Sequence, residues 1–403
     1  MWVFILVVPA IFLTLSLFLA LVAWKLFAPR RKLQIAATGA ALVVFALIVL
    51  AFFGFALRGS DSRLLAFAWS FFGYAVAPLI YLDLLAAAAL IAGKIFPRAR
   101  RFKLHCATGA ALLVAAVCIH GFWKFAHPQT TFLAWNIAEN RAEIVPAETA
   151  NAPTRAGTRK MRIVATADWH LGKLLDRARA EQFVALVNAQ NPDLVLVVGD
   201  LIDADVAPLE DAQTDEILRQ IRAPLGVLAT LGNHEYYGNL ARDKKFIRRS
   251  NMRLLLDNSA LVDGGNGTKI LFVGRDDATN RARRPISKIL AAAGTEFSDI
   301  AETPETAETA ESVPEKIPIF VLDHQPKEAD AAVAAGANFV FCGHTHDGQF
   351  WPVTWLVHLF HKYVSGLYTT DAGTPIYVTF GLGLWHIPYR VGSHSELVVI
   401  DVF

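Results

Sequence analysis

The sequence has little cysteine and little charge for its length. Among 403 residues there are three cysteines and only 18% charged residues, against roughly 25% in a typical globular protein. Three cysteines are too few for a disulfide scaffold, so we expect unpaired, buried thiols at Cys106, Cys118 and Cys342. With 54% hydrophobic residues, the chain is also excluded from the class of disordered proteins.

Acidic residues are nearly missing from residues 1–126. This stretch has 12 Lys and Arg but only Asp61 and Asp83 as acids, a net charge of +10, whereas the remaining residues carry −8. The overall charge of +2 therefore averages over two chemically different halves. The negative charge of the second half argues against nucleic acid as a partner, because it would repel a phosphate backbone.

Residues 1–126 are predicted to be a transmembrane helical domain. Four apolar runs reach or approach the ~20 residues that cross hydrocarbon as a helix: Trp2–Phe27, Leu33–Leu57, Leu64–Ala92 and Cys106–Trp123. The first run lacks a charged n-region and three more follow it, which is not typical of a cleaved signal peptide. We therefore predict four spans. Asp83 lies inside the third run, where a carboxylate is either functional or paired near an interface.

The charges between the runs predict the orientation of the bundle. Nine Lys and Arg lie in the first and third connections, within 25–32 and 94–103, and only two lie in the second. By the positive-inside rule, the first and third connections are cytoplasmic. Both termini, and the whole C-terminal half, are then expected on the periplasmic or extracellular side.

The C-terminal half is predicted to be an α/β domain of layered sheets flanked by helices, over 161–403. It follows a polar linker, 127–160, that contains one strand-like stretch, Thr131–Ile137. Helical patterns such as Ala178–Ala189 and Glu328–Ala335 alternate with short apolar, β-branched runs. We predict strands at Met161–Ala167, Leu194–Val198, Gly226–Leu231, Lys269–Val273, Ile317–Leu322, Phe339–Phe341, Ile376–Phe380 and Leu397–Val402. The acidic, low-complexity segment 299–315 is predicted to be a solvated insertion.

Polar motifs follow five of these runs. They are Asp168-Trp169-His170, Gly199-Asp200-Leu201-Ile202-Asp203, Gly232-Asn233-His234-Glu235, Asp323-His324 and Gly343-His344-Thr345-His346. Strand ends are where open α/β folds place their ligand sites. Carboxylate and imidazole without thiolate suit Mn, Fe or Zn, and the groups outnumber the needs of one ion. The sequence therefore predicts two ions about 3.5–4 Å apart, which make hydroxide available at neutral pH and bind phosphoryl oxygens.

In order and spacing, the five motifs resemble those of the calcineurin-like metallophosphoesterases, over about residues 128–403. The resemblance implies three ligands for each ion and one shared ligand: Asp168, His170 and His346 for one ion; Asn233, His324 and His344 for the other; and Asp200 as the bridge. It also implies that His234 contacts the phosphoryl oxygen or protonates the leaving group. Asp203 matches the carboxylate that orients this histidine.

Details near the last motif resemble the small membrane-associated bacterial phosphoesterases. They are Gly343–Gln349 and the glycine-rich stretch 381–390. Asp347 replaces the glycine that is commoner in that branch, and it either supports His346 or lies on the loop surface. Ala204 stands where protein serine/threonine phosphatases carry a phosphate-binding arginine, which argues against protein-phosphatase activity.

Together these features predict a membrane-anchored, metal-dependent hydrolase of phosphoesters, including phosphomonoesters, phosphodiesters or pyrophosphates. Its location favours an envelope lipid or a lipid-linked phosphoester as substrate. The main alternative is a lipid A enzyme similar to UDP-diacylglucosamine pyrophosphatases, which requires a cytoplasmic catalytic domain. A further alternative is a non-catalytic binding module. Another is an added role of the helices in transport or sensing. Membrane lipids are expected partners, and no obligate protein partner is implied.

Overall fold

The chain divides into two compact units. In the computed structural model, residues 14–22, 24–25, 30–56, 63–95, 103–150, 159–265, 267–297 and 317–403 are described. One unit, the helical unit, comprises Met1–Lys124 together with His386–Val391, and the other, the α/β unit, comprises Phe125–Trp385 and Gly392–Phe403. The predicted acidic insertion 299–315 lies outside the described residues.

The helical unit is built on long apolar helices. They are Arg31–Ala56 (α1), Arg63–Ile95 (α2) and Lys103–Ala126 (α3), whose last two residues belong to the α/β unit. Within them, the described residues offer three stretches long and apolar enough to cross a membrane: Gln34–Ala51, Phe71–Ala92 and His105–Ala126, with mean hydropathies of 2.3, 2.1 and 1.8. The first predicted span, Trp2–Phe27, lies largely outside the described residues and is helical over 14–22 and 24–25. Three of the predicted spans thus form helices.

A short segment from the far end of the sequence belongs to the helical unit. The backbone N–H of Arg390 donates to the carbonyl oxygen of Gly121 in α3 at 3.0 Å. The hydroxyl of Tyr389 donates to the carbonyl oxygen of Tyr74 in α2 at 3.2 Å. The segment His386–Val391 is therefore held by backbone groups of both helices.

All three cysteines are free. Cys118 and Cys342 are buried, in agreement with the prediction. The prediction for Cys106 is wrong, because this residue lies in the first turn of α3 and is exposed.

Two sheets form the centre of the α/β unit. The larger has seven strands in the order β2-β1-β13-β3-β4-β5-β6, which are Arg141–Val145 (β2), Gln129–Asn136 (β1), Glu396–Val402 (β13), Met161–Thr166 (β3), Leu194–Val198 (β4), Val227–Thr230 (β5) and Arg253–Leu254 (β6). The smaller has six, in the order β11-β12-β10-β9-β8-β7, which are Gly366–Thr369 (β11), Pro375–Val378 (β12), Phe339–Cys342 (β10), Ile319–Leu322 (β9), Lys269–Gly274 (β8) and Asn258–Asp263 (β7). Strands β3 to β6 are mutually parallel, as are β8, β9, β10 and β12.

Helices connect the strands. They are Ala147–Ala150 (α4), Arg177–Ala189 (α5), Ala207–Asp211 (α6), Thr214–Leu218 (α7), Leu240–Arg249 (α8), Ile286–Phe297 (α9), Ala329–Ala334 (α10) and Val353–Phe360 (α11). Asp176 caps the N-terminus of helix α5, and its carboxylate accepts hydrogen bonds from the backbone N–H groups of Ala178 and Arg179.

Three apolar layers explain the sequence pattern. The first joins α5 and α8 to the larger sheet through residues such as Phe183, Val195 and Phe246. The second lies between the sheets and contains Trp135, Leu196, Phe320, Phe339 and Phe341. The third joins the smaller sheet to α9 and α10. Strands β3 and β4 are buried on both faces, which is why they read as continuous apolar runs.

Strands also form in the region that we interpreted as a linker, 127–160. Strand β1 pairs with β13 in parallel, and β2 pairs with β1 in antiparallel fashion. The strand-like stretch Thr131–Ile137 thus corresponds to β1, and the larger sheet begins earlier in the chain than residue 161. Strand β2 was not foreseen, because alternate residues of Arg141–Val145 are polar and exposed at this sheet edge.

Candidate metal centre

The structure brings the five motifs to one place. Three of them follow β3, β4 and β5 of the larger sheet, and two follow β9 and β10 of the smaller sheet. Since these strands are parallel within each sheet, their carboxyl ends meet at the same edge. The side chains form three groups whose oxygen or ring nitrogen atoms lie within 4.8 Å of one another: Asp168, His170 and His346; Asp200, His324 and His344; and His170, Asp203 and His234.

The first group surrounds the end of β3. The Nε2 atoms of His170 and His346 lie 3.0 Å apart, and Nε2 of His346 lies 3.4 Å from Oδ1 of Asp168. Two nitrogens that each lie about 2.0–2.1 Å from one divalent ion are separated by about 3 Å when adjacent in its coordination shell. The spacing of these three side chains therefore fits one ion.

The second group is oriented by a backbone contact. The Nδ1 atom of His324 lies 2.9 Å from the carbonyl oxygen of Val198, at the end of β4. If Nδ1 donates to that oxygen, Nε2 of the neutral ring is left as the electron-pair donor. Nε2 lies 3.1 Å from Oδ2 of Asp200, but among the described residues no acceptor lies in the direction that a hydrogen bond from Nε2 requires.

Asn233 shows the same signature of a ligand. Its amide nitrogen donates to the hydroxyl of Tyr237 at 2.9 Å, which directs the carbonyl oxygen away from that contact. That oxygen, Oδ1, is buried and finds no hydrogen-bond partner in the described part of the chain. A buried polar atom without a partner costs about 1–3 kcal/mol. An ion at this position would satisfy both Oδ1 of Asn233 and Nε2 of His324, so the residues fit a metal centre.

His234 and Asp203 form a separate pair beside these groups. Nδ1 of His234 lies 2.8 Å from Oδ1 of Asp203. The backbone N–H of His234 donates to Oδ1 of Asp200 at 2.8 Å, and its ring stands edge-on to that of His170 at 4.4 Å. The histidine is thus fixed at both its backbone and its ring.

Electrostatics differ sharply among the imidazoles. Burial alone would lower the pKa of His234, but the carboxylates of Asp200, Asp203 and Glu235 raise it to about 9. Burial and the neighbouring His324 lower the pKa of His344 to about 3. Burial alone would also lower the pKa of His324, but Asp200 raises it well above its usual value. Without an ion, His344 is therefore neutral at pH 7, whereas His234 and His324 hold their protons.

Backbone strain is concentrated at the predicted ligands. Five of them have left-handed backbone conformations, with φ between 47° and 75°: Asp168, His170, Asp200, His344 and His346. Residues other than glycine rarely adopt this region, and such conformations cluster at functional sites. Within the motifs, Gly232 is required sterically, because a Cβ atom there would collide with the carboxylate of Asp200.

Glu235 is a supporting residue to which motif spacing assigned no role. Its carboxylate accepts hydrogen bonds from the backbone N–H groups of Gly232 at 2.7 Å, Ile202 at 3.0 Å and Asp200 at 3.2 Å. It thereby ties the loop after β5 to the loop after β4. Burial and the nearby Asp200 raise the pKa of Glu235 to about 7.

Asp347 is buried, so the interpretation of it as a loop-surface residue is wrong. Its Oδ1 atom accepts hydrogen bonds from Nε2 of His358 at 2.8 Å and from the hydroxyl of Ser365 at 3.1 Å. The residue next to His346 is therefore fixed to helix α11. No motif indicated this contact, because His358 lies 11 residues further along the chain.

A buried ion-pair network lies beside His324. The carboxylate of Asp323 accepts from Arg275 at 3.0 Å and from Arg283 at 3.2 Å, and Glu328 completes the network with both arginines. Arg275 and Asp323 are each about 1% exposed. Neither arginine was singled out from the sequence, because they lie outside the five motifs.

Comparison with known families agrees with the motif analysis. Residues 161–348 match the family model described as calcineurin-like phosphoesterase. The chain therefore contains a calcineurin-like phosphoesterase domain, and the predicted resemblance is confirmed. The names of the family and of its relatives indicate a phosphoester hydrolase.

Curated relatives include proteins from animals and bacteria. A "Transmembrane protein with metallophosphoesterase domain" from Danio rerio is 29% identical over 76% of this chain and 67% of its own length. An uncharacterized metallophosphoesterase from Campylobacter jejuni is 31% identical over 60% of this chain and 59% of its own. A relative from Bos taurus with the same name as the first is 29% identical, over 59% of this chain and 52% of its own. The chain thus spans about half to two thirds of these relatives, and its apolar helices indicate membrane association.

Proposed function

We propose that this protein is a membrane-anchored phosphoester hydrolase with two divalent ions, whose catalytic domain lies outside the cytoplasm. The observation that carries the proposal is the convergence of buried carboxylates and imidazoles from five strand ends, with Nε2 of His324 and Oδ1 of Asn233 left without hydrogen bonds among the described residues. Such atoms are stable in a buried site when an ion binds them.

The two groups of ligands would each hold one ion. Asp168, His170 and His346 fit one position, and Asn233, His324 and His344 fit the other, with Asp200 between them as the shared ligand. Oxygen and imidazole donors without thiolate suit Mn, Fe or Zn. When bound, such ions would acidify a water molecule and neutralise charge on the phosphoryl group.

His234 would handle the proton of the leaving group. Asp203 accepts a hydrogen bond from Nδ1 and holds the ring, which leaves Nε2 to carry a proton to a phosphoryl oxygen or a departing alkoxide. A pKa raised to about 9 keeps the ring protonated at neutral pH, as a general acid requires. Asp203 itself remains ionised, because the neighbouring imidazoles of His170 and His234 outweigh its burial and lower its pKa.

The distribution of charge supports the sidedness of the domain. The first and third connections between the predicted spans, within 25–32 and 94–103, carry nine of the eleven cationic residues between those spans. With four spans, including Trp2–Phe27, this bias supports a periplasmic or extracellular location for residues 127–403. A catalytic domain held there by its own helices is suited to an envelope lipid or a lipid-linked phosphoester.

Hydrolysis of model substrates tests the catalytic proposal. Purified full-length protein with Mn²⁺ should hydrolyse bis-p-nitrophenyl phosphate or p-nitrophenyl phosphate, and both chelation and Asp200→Asn should abolish this activity. The exposed Asp211 provides the matched control, since Asp211→Asn should leave turnover unchanged. Activity that survives chelation and Asp200→Asn would refute the dinuclear mechanism. A screen of envelope lipids with the same variants would then define the substrate.

Cysteine labelling in intact cells tests the sidedness. In a Cys106→Ser background, Asp371→Cys at an exposed turn should react with a membrane-impermeant maleimide, whereas Arg100→Cys should react only after permeabilisation. The reverse pattern would overturn the proposed orientation. It would favour the lipid A alternative, whose substrate is cytoplasmic.

A further inference from the structure

Helix α11 exposes large apolar side chains instead of burying them. Phe360 is 80% exposed, Trp355 59% and Leu359 58%, and Trp351 and Leu356 are also exposed. Trp355 and Leu359 are four residues apart on the helix, so they lie along one stripe of it, and Trp351 lies in the turn just before the helix. A contiguous apolar surface of this kind is characteristic of interaction sites.

The opposite face of α11 fixes the helix to the α/β unit. Thr354 is buried, and its backbone lies so close to Gly348 that a Cβ atom on that glycine would approach the Thr354 nitrogen to 2.6 Å. A Cβ atom on Gly392 would also lie 3.4 Å from the side chain of Thr354. Because this face is packed, Trp355 and Leu359 are held outward.

A further exposed tryptophan is tied to the same loop. Gln349 accepts a hydrogen bond from the backbone N–H of Trp385 at 2.7 Å and donates to its carbonyl oxygen at 3.2 Å. Trp385 is 43% exposed. The exposed side chains of this surface, here called the α11 patch, are Trp351, Trp355, Leu356, Leu359, Phe360 and Trp385.

Hydrogen bonds connect the α11 patch to the candidate metal centre. His358, on α11, contacts Asp347, which is adjacent to His346. Gln349 ends the loop Gly343–Gln349, which carries both His344 and His346. Whatever binds the α11 patch is therefore coupled to the loop that supplies two of the predicted ligands.

The chemistry of the α11 patch points to a lipid surface. Three of its six side chains are tryptophans, which favour the boundary between headgroups and acyl chains, and no acidic residue lies between 349 and 364 to oppose an anionic bilayer. The chain also passes directly from Trp385 into His386–Val391, the segment held by α2 and α3 of the helical unit. Trp385 of the patch is thus followed directly in the sequence by a segment of the helical unit.

We propose that the α11 patch inserts into the headgroup region of the bilayer and holds the loop Gly343–Gln349 at the membrane surface. An amphipathic helix that lies in the interface in this manner would place the site next to phosphoesters in the headgroup plane. The inference depends on membrane association and not on turnover. A measurement of depth therefore tests it separately from the proposed activity.

A spin label at position 359 reports the depth of the α11 patch. Full-length protein with Cys106→Ser and Leu359→Cys is labelled with a nitroxide and reconstituted into nanodiscs of phosphatidylcholine and phosphatidylglycerol. We measure the ratio of collisions with oxygen to collisions with a water-soluble nickel chelate. Since oxygen partitions into the bilayer, this ratio should be about threefold or more higher at position 359 than at Glu181→Cys, an exposed site on α5. Equal ratios at the two sites would overturn the proposal.

A second variant keeps the test specific. Adding Trp351→Ser and Trp355→Ser should return the ratio at position 359 to that at position 181, while circular dichroism and metal content stay unchanged. A ratio that stays high without the tryptophans would contradict their role in insertion. Dipolar broadening between labels, with poor access for both collision reagents, would show that a second copy covers the patch. Poor access without broadening would indicate another protein surface, and each of these two results would overturn the proposal.

Discussion

Nδ1 of His234 lies 2.8 Å from Oδ1 of Asp203, and the backbone N–H of the same histidine donates to Asp200 at 2.8 Å. One histidine is thereby connected to the carboxylate predicted to bridge the ions and to a carboxylate that fixes its ring. Its ring is held by Asp203 and stands beside that of His170, and we predict that its role is separable from metal binding.

Replacement of His234 should reduce turnover without releasing metal. His234→Gln removes the proton carried on the ring, and general acid–base groups typically contribute about 10²–10⁴-fold to rate. We expect kcat on bis-p-nitrophenyl phosphate to fall within that range, while inductively coupled plasma mass spectrometry finds the same metal content. His127→Gln, at an exposed histidine, is the control. Loss of metal together with activity would assign His234 to the ligands instead.

Glu235 should be required for metal affinity, although it is not among the predicted ligands. Its carboxylate accepts three backbone N–H groups, including that of Asp200, so Glu235→Ala leaves three donors unsatisfied and frees the loop. Loss of a residue that orients ligands typically lowers metal affinity by about 10–100-fold. Activity titrated against Mn²⁺ should show this shift, and Glu235→Gln should restore part of it. An unchanged Mn²⁺ dependence in Glu235→Ala would exclude the positioning role.

Gly232 should tolerate no side chain. A Cβ atom at this position would collide with Oδ1 and the backbone nitrogen of Asp200, so Gly232→Ala must displace the predicted bridging carboxylate. We expect loss of bound metal and of activity. Gly172→Ala is the matched control, because the added Cβ atom would meet Asp203 at an ordinary contact distance of 3.5 Å. Full metal content in Gly232→Ala would show that Asp200 does not bind the ions.

The interior of the α/β unit could be predicted from the sequence because burial determines residue type there. Strand β4 matches its predicted range, Leu194–Val198, since helices cover one of its faces and the second sheet covers the other. Strand β7 was missed because its burial alternates and its apolar residues are few. Strand β6 has two residues, one of them charged, and gives no pattern at all.

The candidate site was predictable only where short motifs carried it. Asp168, Asp200 and His324 follow strands directly, so their convergence could be expected from the order of elements alone. The contacts of Asp347 with His358, and of Arg275 with Asp323, join residues whose spacing has no regular period. Such contacts depend on how the loops fold over one another, which local sequence does not determine.

Asp243 gives a test that is independent of the metal centre. This carboxylate, on α8, is fully buried, and neither of its oxygens has a hydrogen-bond partner among the described residues. Burial, together with repulsion from Glu235, Asp205 and Glu210, raises its pKa to about 7. In the unfolded chain the pKa is about 3.9, so the folded state binds this proton more tightly. The free energy of unfolding must therefore fall as the pH rises from about 4 to about 7.

Asp243→Asn should remove this dependence on pH. The amide is isosteric and uncharged, so the variant should gain free energy of unfolding relative to the wild type as the pH rises. We expect this gain to be about 1–2 kcal/mol larger at pH 8 than at pH 5, which corresponds to a few degrees in the unfolding temperature. Differential scanning fluorimetry of the full-length protein in detergent at the two pH values measures it. Asp211→Asn, at an exposed carboxylate, should show equal shifts at both. Equal shifts of the unfolding temperature at both pH values in Asp243→Asn would show that the carboxyl of Asp243 has an ordinary pKa. Water or another polar group would then have to contact this carboxyl in solution.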